Sequence, residues 1–253
     1  NKKSPTTVPT LSSGVTRVSA GGSHTCALTT GGGLKCWGAN NYGQLGDGTT
    51  TPRKVPTDVQ GLTSNVASIA AGNVHTCAVT ISGAAKCWGS GTLGSLGDGT
   101  ATDKTAPVVV SGLSTGVASL TAGHGHTCVV TTSGAAKCWG YNYSGQVGNG
   151  GLYTTQNTPA TVNGLSSNVA LITAGYQHTC ALTTLGEALC WGANGYGQIG
   201  DGSTTNRSAP TVVSSLNAGT AALSAGFSHT CALTAVGAAK CWGYNNSGQL
   251  GDG

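Results

Sequence analysis

The segment from His24 to Thr49, HTCALTTGGGLKCWGANNYGQLGDGT, returns with few changes from His75, His126, His178 and His229. Successive copies begin 51 or 52 residues apart. A period of that length belongs to propellers, solenoids and arrays, in which one supersecondary unit buries its faces against copies of itself. The 253 residues therefore read as a single domain, 1–253, of five repeats whose core hairpins begin near residues 24, 75, 126, 178 and 229.

Within a repeat the pattern is extended throughout. Four short strands are expected: a Pro-Val segment such as Pro107 to Val110, then Val117 to Ala122, then HTCVVT and AAKCWG joined by a Gly-bearing turn at Thr132 to Gly134. Thr, Val and Cys favour pleated backbone, and no stretch carries a helical period. The 43 glycines sit at fixed offsets and punctuate turns. The fifth copy stops at Gly253 before its Pro-Val segment, while Lys2 to Val15 supply a version of that segment. The two ends together make one repeat, as a ring closed by its own termini requires, and closure removes sheet edges. The expected fold is an all-β propeller of about five four-stranded blades.

The cysteines come as one pair per repeat: Cys26/Cys36, Cys77/Cys87, Cys128/Cys138, Cys180/Cys190 and Cys231/Cys241. If Leu28 faces Leu34 across the hairpin, Cys26 faces Cys36, at a separation of about 4.5–5.5 Å that a disulfide tolerates. Closing a loop of about 11 residues stabilises each unit by roughly 2–3 kcal/mol. Five such pairs imply an oxidising compartment, and no C-x-x-C knuckle points to a metal. A start at Asn1, without Met or a signal-like stretch, reads as a mature or excerpted piece of a secreted protein. No apolar run is long enough to span a membrane, and a net charge of +4 with 7% charged residues gives no nucleic-acid footprint.

The strings A-G-x-x-H-T-x-A-L-T and G-x-x-x-x-W-G-x-N-x-x-G-Q-L-G-D-G-T, recurring with substitutions in all five copies, resemble the repeat of the regulator of chromosome condensation. The resemblance implies a β-propeller of four-stranded blades. Eukaryotic members of that family are typically seven-bladed, and one promotes guanine-nucleotide exchange on a small GTPase while sitting on chromatin. Secreted bacterial members act by binding other proteins, including an inhibitor of β-lactamases. The chain departs from the nuclear pattern in having five repeats, paired cysteines in every repeat and no insertion between repeats resembling the exchange wedge.

Candidate site residues follow from what varies and what repeats. His24, His75, His126, His178 and His229 open the hairpins; symmetry places them too far apart for one ion at ~2 Å ligand distances, so each is read as a structural hydrogen-bonder to backbone. The Asp of each G-D-G is turn chemistry rather than a calcium site. Trp37, Trp88, Trp139, Trp191 and Trp242 are expected between blades, with a carbohydrate platform as the sharper alternative. Lys35, Lys86, Lys137 and Lys240, with Leu189 in the fourth copy, precede the second cysteines and are expected on a solvated outer strand. The loop after each Trp-Gly varies most, and Asn41, Tyr42, Leu93, Tyr141, Tyr143, Tyr196, Tyr244 and Asn246 form the expected binding surface, Tyr and Asn on rigid scaffolds being contact chemistry. Asn142, Asn206 and Asn245 are formal glycosylation acceptors.

No nucleophile–base set stands out, so no catalytic, metal or cofactor residue is expected. The function expected is that of a non-catalytic extracellular scaffold, secreted or at the cell surface, binding a protein partner or itself, head-to-tail through Lys2–Val15. The competing expectations are an exchange-type regulator, which needs reduced cysteines, and a glycan-binding propeller.

Overall fold

The computed structural model describes residues 2–253; Asn1 lies outside the described residues. The first sheet orders β1 (Val15–Ala20), β2 (His24–Thr29), β3 (Leu34–Gly38) and β4 (Arg53–Asp58). The second is β5 (Val66–Ala71), β6 (His75–Thr80), β7 (Ala85–Gly89) and β8 (Lys104–Val109). The third is β9 (Val117–Ala122), β10 (His126–Thr131), β11 (Ala136–Asn142) and β12 (Thr154–Thr161). The fourth is β13 (Val169–Ala174), β14 (His178–Thr183), β15 (Ala188–Gly192) and β16 (Arg207–Val212). The fifth stops at three strands, β17 (Thr220–Ala225), β18 (His229–Thr234) and β19 (Ala239–Gly243). All pairs are antiparallel, and the ends of the five first strands line a common axis. The all-β propeller is as the repeat predicts.

The order of strands within a blade is not. The Pro-Val strand closes the blade it follows: β8 pairs with β7, Lys86 opposite Val109, instead of opening the next sheet. In the first, third and fourth blades a buried asparagine braces the return. Asn40 Nδ2 donates to the carbonyls of Thr49 (3.0 Å) and Thr51 (3.1 Å), while its Oδ1 accepts from Leu45 N–H at 2.9 Å. Those bonds fold the G-D-G loop back on its own hairpin, and Asn142 and Asn194 hold their loops in the same way. Among the described residues, strand pairing does not join the chain ends. Lys2–Val15 reaches a strand only at Val15, and β19 has no fourth strand beside it.

The same strand order corrects the placing of the second cysteines and of the residues before them. Their strand is the third of four, and only in the last blade is it outermost. In the fourth blade Cys190 has Cys180 of β14 on one side and Thr211 of β16 on the other. Leu189, just before Cys190, is buried against the third-blade core, and Lys35, Lys86 and Lys137 are half-buried at the matching positions. Lys240 alone of the four lysines is exposed, because β19 lacks the covering strand.

The core lies between blades. One cluster joins Cys77, Val79, Cys87 and Leu96 of the second blade to Val117, Val129 and Trp139 of the third, and three others repeat the arrangement. Trp88, Trp139 and Trp191 are fully buried there. Each indole lies against a glycine of the preceding blade: a Cβ at Gly148, where φ is +77°, would stand 2.6 Å from Trp191 Nε1. The chain can place a tryptophan there because the opposing residue has no side chain. The cysteines are bridged within hairpins, as Cys26–Cys36, Cys77–Cys87, Cys128–Cys138, Cys180–Cys190 and Cys231–Cys241. Their Cα atoms are 4.1 Å apart in every pair, a little closer than the hairpin spacing expected, and no cysteine is free among the described residues. Cys180 and Cys190 are fully buried and pack with Ile199, Val213 and Leu216, so that bridge belongs to the core and offers no surface.

Candidate functional site: the axial mouth and its tyrosine rim

The histidines do something other than cap backbone. His24, His75, His126 and His178 each reach across to a threonine of the next blade, Nε2 lying 2.8–3.0 Å from Oγ1 of Thr76, Thr127, Thr179 and Thr230. Each of those hydroxyls donates to a backbone carbonyl of the histidine's own blade, at Gln44, Ser95, Gln146 and Gln198 (2.8–2.9 Å). A hydroxyl has one proton, so Nε2–H must be the donor to it. Nδ1 is then the deprotonated nitrogen, and it has no partner in any of the four. Burial lowers His75 and His126 to about 3, and His24 and His178 to about 4. The rings are neutral struts between blades. No group of three or more His, Cys, Asp or Glu suited to a metal occurs among the described residues.

The indole Nε1–H groups of Trp88, Trp139, Trp191 and Trp242 donate to the same four carbonyls at 2.8–3.0 Å. Those tryptophans are interblade packing, not a platform for sugar. The G-D-G aspartates are also occupied. Burial alone raises the Asp47 carboxyl, but hydrogen bonds from Thr49 and Arg53 outweigh it and hold it below the usual range; Asp201 has the same arrangement with Ser203 and Arg207. Lys35 pairs with Asp58 at 2.6 Å.

One surface open to a partner is the end where the variable loops gather. The antiparallel order puts the loop between the first two strands of a blade beside the loop that follows the third, as Tyr141 N–H bonded to Gly125 C=O (2.8 Å) illustrates. The first of these loops surrounds a shallow axial cavity of about 240 Å³. Its variable position holds Gly22, Asn73, His124, Tyr176 and Phe227 in turn, linked from blade to blade by backbone bonds such as Tyr176 N–H to Phe227 C=O (3.2 Å). Three of these form a ladder, His124 tilted against Tyr176 with ring centroids 4.2 Å apart and Tyr176 stacked on Phe227 at 4.0 Å. Phe227 is 66% exposed. The sequence reading missed this ladder, although its signal was present: the two residues between each Ala-Gly and the histidine change between otherwise matching copies, and the first of them is His, Tyr or Phe in the last three.

The outer loops form a rim around the mouth. Tyr141 stacks on Tyr143 at 5.2 Å, Tyr143 meets Tyr153 edge-on at 6.0 Å, and Tyr196 and Tyr244 meet across two blades at 4.8 Å. Burial, then the neighbouring phenols of Tyr143 and Tyr176, raise the Tyr141 hydroxyl, which places Tyr141 between ladder and rim. Asn41, Tyr42 and Asn246 are exposed. Leu93 is not a free contact residue: it is half-buried against the backbone of Gly125 and the base of Tyr141. Asn142 is corrected as a glycan acceptor, since it is fully buried with Nδ2 engaged by Asn149 and Gly151. Asn206 is exposed, and Asn245 is half-buried with Nδ2 on Asp252.

With fold and site described, the comparison with known proteins is direct: the RCC1-like domain matches residues 1–253. The chain belongs to the RCC1-like domain family. It is similar to the ultraviolet-B receptor UVR8 of Arabidopsis thaliana, 36% identical over 245 residues, covering 94% of this chain and 55% of that protein. It is also similar to the human E3 ubiquitin-protein ligase HERC2, 32% identical over 242 residues, covering 93% of this chain and 5% of that one. Among solved structures, human WBSCR16 superposes with a TM-score of 0.78 at 26% identity, covering 87% of this chain and 57% of that one. Prp20p of Saccharomyces cerevisiae gives 0.81 at 23%, covering 93% and 58%. This RCC1-like chain thus spans about half the length of UVR8 and of the two superposed propellers.

Proposed function

We propose that this chain is a non-catalytic protein-recognition module that holds a partner against the axial mouth and the tyrosine rim, in an oxidising setting outside the cytosol. The observation that carries the reading is the run of aromatic groups on one end of a rigid scaffold, exposed Phe227 on half-buried Tyr176 within and exposed Tyr143, Tyr153 and Tyr196 outside. Large amphipathic rings with few rotatable bonds give contact area at low entropic cost, the chemistry of hot spots and paratopes. Relatives support it: a yeast RCC1-type propeller has been solved with Kap60 bound, and Prp20p is described with binding to Gsp1p and histones. Five disulfides, none of them shared between blades, support the oxidising compartment and a secreted or surface location.

The test pairs two measurements. Alkylation of the unfolded, unreduced protein is expected to label no thiol; ten labelled thiols would remove the extracellular reading and favour an exchange-type regulator. Cross-linking and affinity capture from the native source is expected to yield a partner lost with Tyr176→Ala/Phe227→Ala but retained with Ile81→Ala, an exposed residue of a β-turn at the opposite end. A partner captured equally by both variants would place recognition elsewhere.

A further inference from the structure

After its fourth strand each of the first four blades makes the same turn, and one of these turns carries a chemically labile pair. Val59–Leu62, Val110–Leu113, Val162–Leu165 and Val213–Leu216 each close through a Leu N–H donating to a Val C=O at 3.1 Å. The third position has positive φ in every copy, +68° at Gly61, +69° at Gly112, +73° at Gly164 and +61° at Ser215, which makes the turn type II. The second position is Gln60, Ser111, Asn163 and Ser214 in turn, so the third blade alone has an asparagine followed by glycine at this corner. We infer that Asn163–Gly164 is a site of spontaneous covalent modification, where the side-chain amide is lost and an aspartyl or isoaspartyl residue remains.

Asparagine is among the thermally labile side chains, and a following glycine leaves it most open to attack, since no Cβ shields the glycine nitrogen. The Gly164 nitrogen gives up its proton to solvent and attacks Cγ of Asn163. A bond forms between that nitrogen and Cγ, the Cγ–Nδ2 bond breaks, and Nδ2 leaves as ammonia after taking a proton from water. The ring that remains is a succinimide. Water then adds to one of its two carbonyls. Scission between the Gly164 nitrogen and Cγ leaves an aspartyl residue; scission between that nitrogen and the main-chain carbonyl carbon leaves an isoaspartyl one. Water has replaced ammonia, and no group is oxidised or reduced.

The fold selects this pair from three. Asn149–Gly150 and Asn194–Gly195 are the other Asn-Gly pairs in the chain. The Gly150 N–H donates to Ser208 C=O of the fourth blade at 2.9 Å, and Asn149 Oδ1 accepts from Gly151 N–H (3.0 Å) and from Asn142 Nδ2 (3.2 Å). Nucleophile and side-chain carbonyl are both held there. Asn194 is fully buried; its Nδ2 donates to the carbonyls of Ser203 and Thr205 and its Oδ1 accepts from Ile199 N–H, which fixes the amide. Asn163 and Gly164 are exposed, and a Cβ at Gly164 would meet nothing within 4 Å. The Asn163 side chain, the Asn163 C=O and the Gly164 N–H make no hydrogen bond among the described residues. The peptide plane between the two residues therefore turns toward Cγ without breaking one.

The two products differ in what they do to the blade. The aspartyl form keeps the length of the main chain and adds an exposed charge. The isoaspartyl form runs the main chain through Cβ and Cγ and so lengthens the turn by a carbon. The residues on either side are held: Val162 and Leu165 are buried in the cluster with Ala136, Val147 and Trp191. Val162 N–H donates to Ala136 C=O at 3.1 Å, Ala136 N–H to Leu165 C=O at 2.8 Å and Asn163 N–H to Gly148 C=O at 2.9 Å. An added carbon must give up part of that set, so the isoaspartyl product loosens the seam between the third and fourth blades.

Peptide mapping of the oxidised chain during incubation at mildly alkaline pH tests the assignment, beside a sample kept unfolded in denaturant. The folded chain is expected to convert Asn163 while Asn149 and Asn194 stay intact; the unfolded chain is expected to convert all three. Asn163→Gln, which copies Gln60 of the first blade, should abolish the product and keep the melting temperature. The isoaspartyl form, separated by ion-exchange chromatography, should melt below both the unmodified chain and Asn163→Asp. Three results would overturn the inference: conversion of Asn149 or Asn194 in step with Asn163, a folded chain that keeps Asn163 intact while the unfolded chain loses it, or an isoaspartyl form as stable as Asn163→Asp.

Discussion

His75 Nε2 stands 2.9 Å from Thr127 Oγ1, and that same oxygen stands 2.9 Å from the carbonyl of Ser95. The pair joins two blades through a relay with a defined proton order, and it recurs with His24, His126 and His178. Its stability rests on neutrality, since a second ring proton on Nδ1 would be buried with no acceptor.

Acid should therefore loosen the propeller well above the range of its carboxylates. The four rings titrate near 3 to 4 when folded, against an ordinary value of 6.5. Between those values the unfolded chain takes up protons that the folded chain refuses. The stabilisation is complete above 6.5 and falls as the pH drops, by about 1.4 kcal/mol per pH unit for each buried ring at most. Asp47 and Asp201, held below 3.8, add their loss only at lower pH. Urea midpoints are expected to fall from neutral pH to about pH 5; a flat profile there would mean that the rings are not neutral struts.

Thr127→Val should cost about 1–3 kcal/mol, the penalty of leaving the His75 N–H without an acceptor. The Ser95 carbonyl keeps its bond from Trp139 Nε1 (2.8 Å), which limits the loss. Thr25→Val removes a hydroxyl with no such partner among the described residues and should change stability by no more than about 0.5 kcal/mol. Equal effects in denaturant titrations of dilute protein would deny the relay any special weight.

Gly148→Ala should be among the most damaging single-methyl changes. The added carbon meets Trp191 Nε1 at 2.6 Å on a backbone with φ +77°. Overpacking and the left-handed conformation together cost about 2–4 kcal/mol. Gly251→Ala, at φ +69° with nothing within 4 Å, carries only the conformational part, about 1–2 kcal/mol. Thermal melts of the two variants should separate accordingly.

The disulfides should differ in access though not in design. Cys128–Cys138 and Cys180–Cys190 are fully buried, whereas Cys231 and Cys241 are partly exposed on the uncovered blade. Mild reduction followed by alkylation and peptide mapping is expected to label the last pair first; label on Cys190 before Cys241 would contradict the order of burial. Replacing Cys128 and Cys138 together by Ala should cost roughly 2–3 kcal/mol or somewhat more, the loop-closure contribution plus a small cavity.

The amino-acid sequence by itself determined the periodic design: five copies, the extended pattern and the cysteine register within each hairpin, because these depend on neighbours a few residues apart. Cys26 opposite Cys36 follows from counting across one turn. Two things needed the tertiary structure. The sheet to which the Pro-Val strand adds is decided by contacts beyond the hairpin, such as the Asn40 hydrogen bonds that draw its loop back over nine and eleven residues in the first blade. The aromatic ladder of His124, Tyr176 and Phe227 brings together residues some fifty positions apart, and only the rotation from blade to blade stacks them. Local periodicity fixes what a blade is. The packing of one blade on the next decides which of its residues meet each other, and which are left to meet something else.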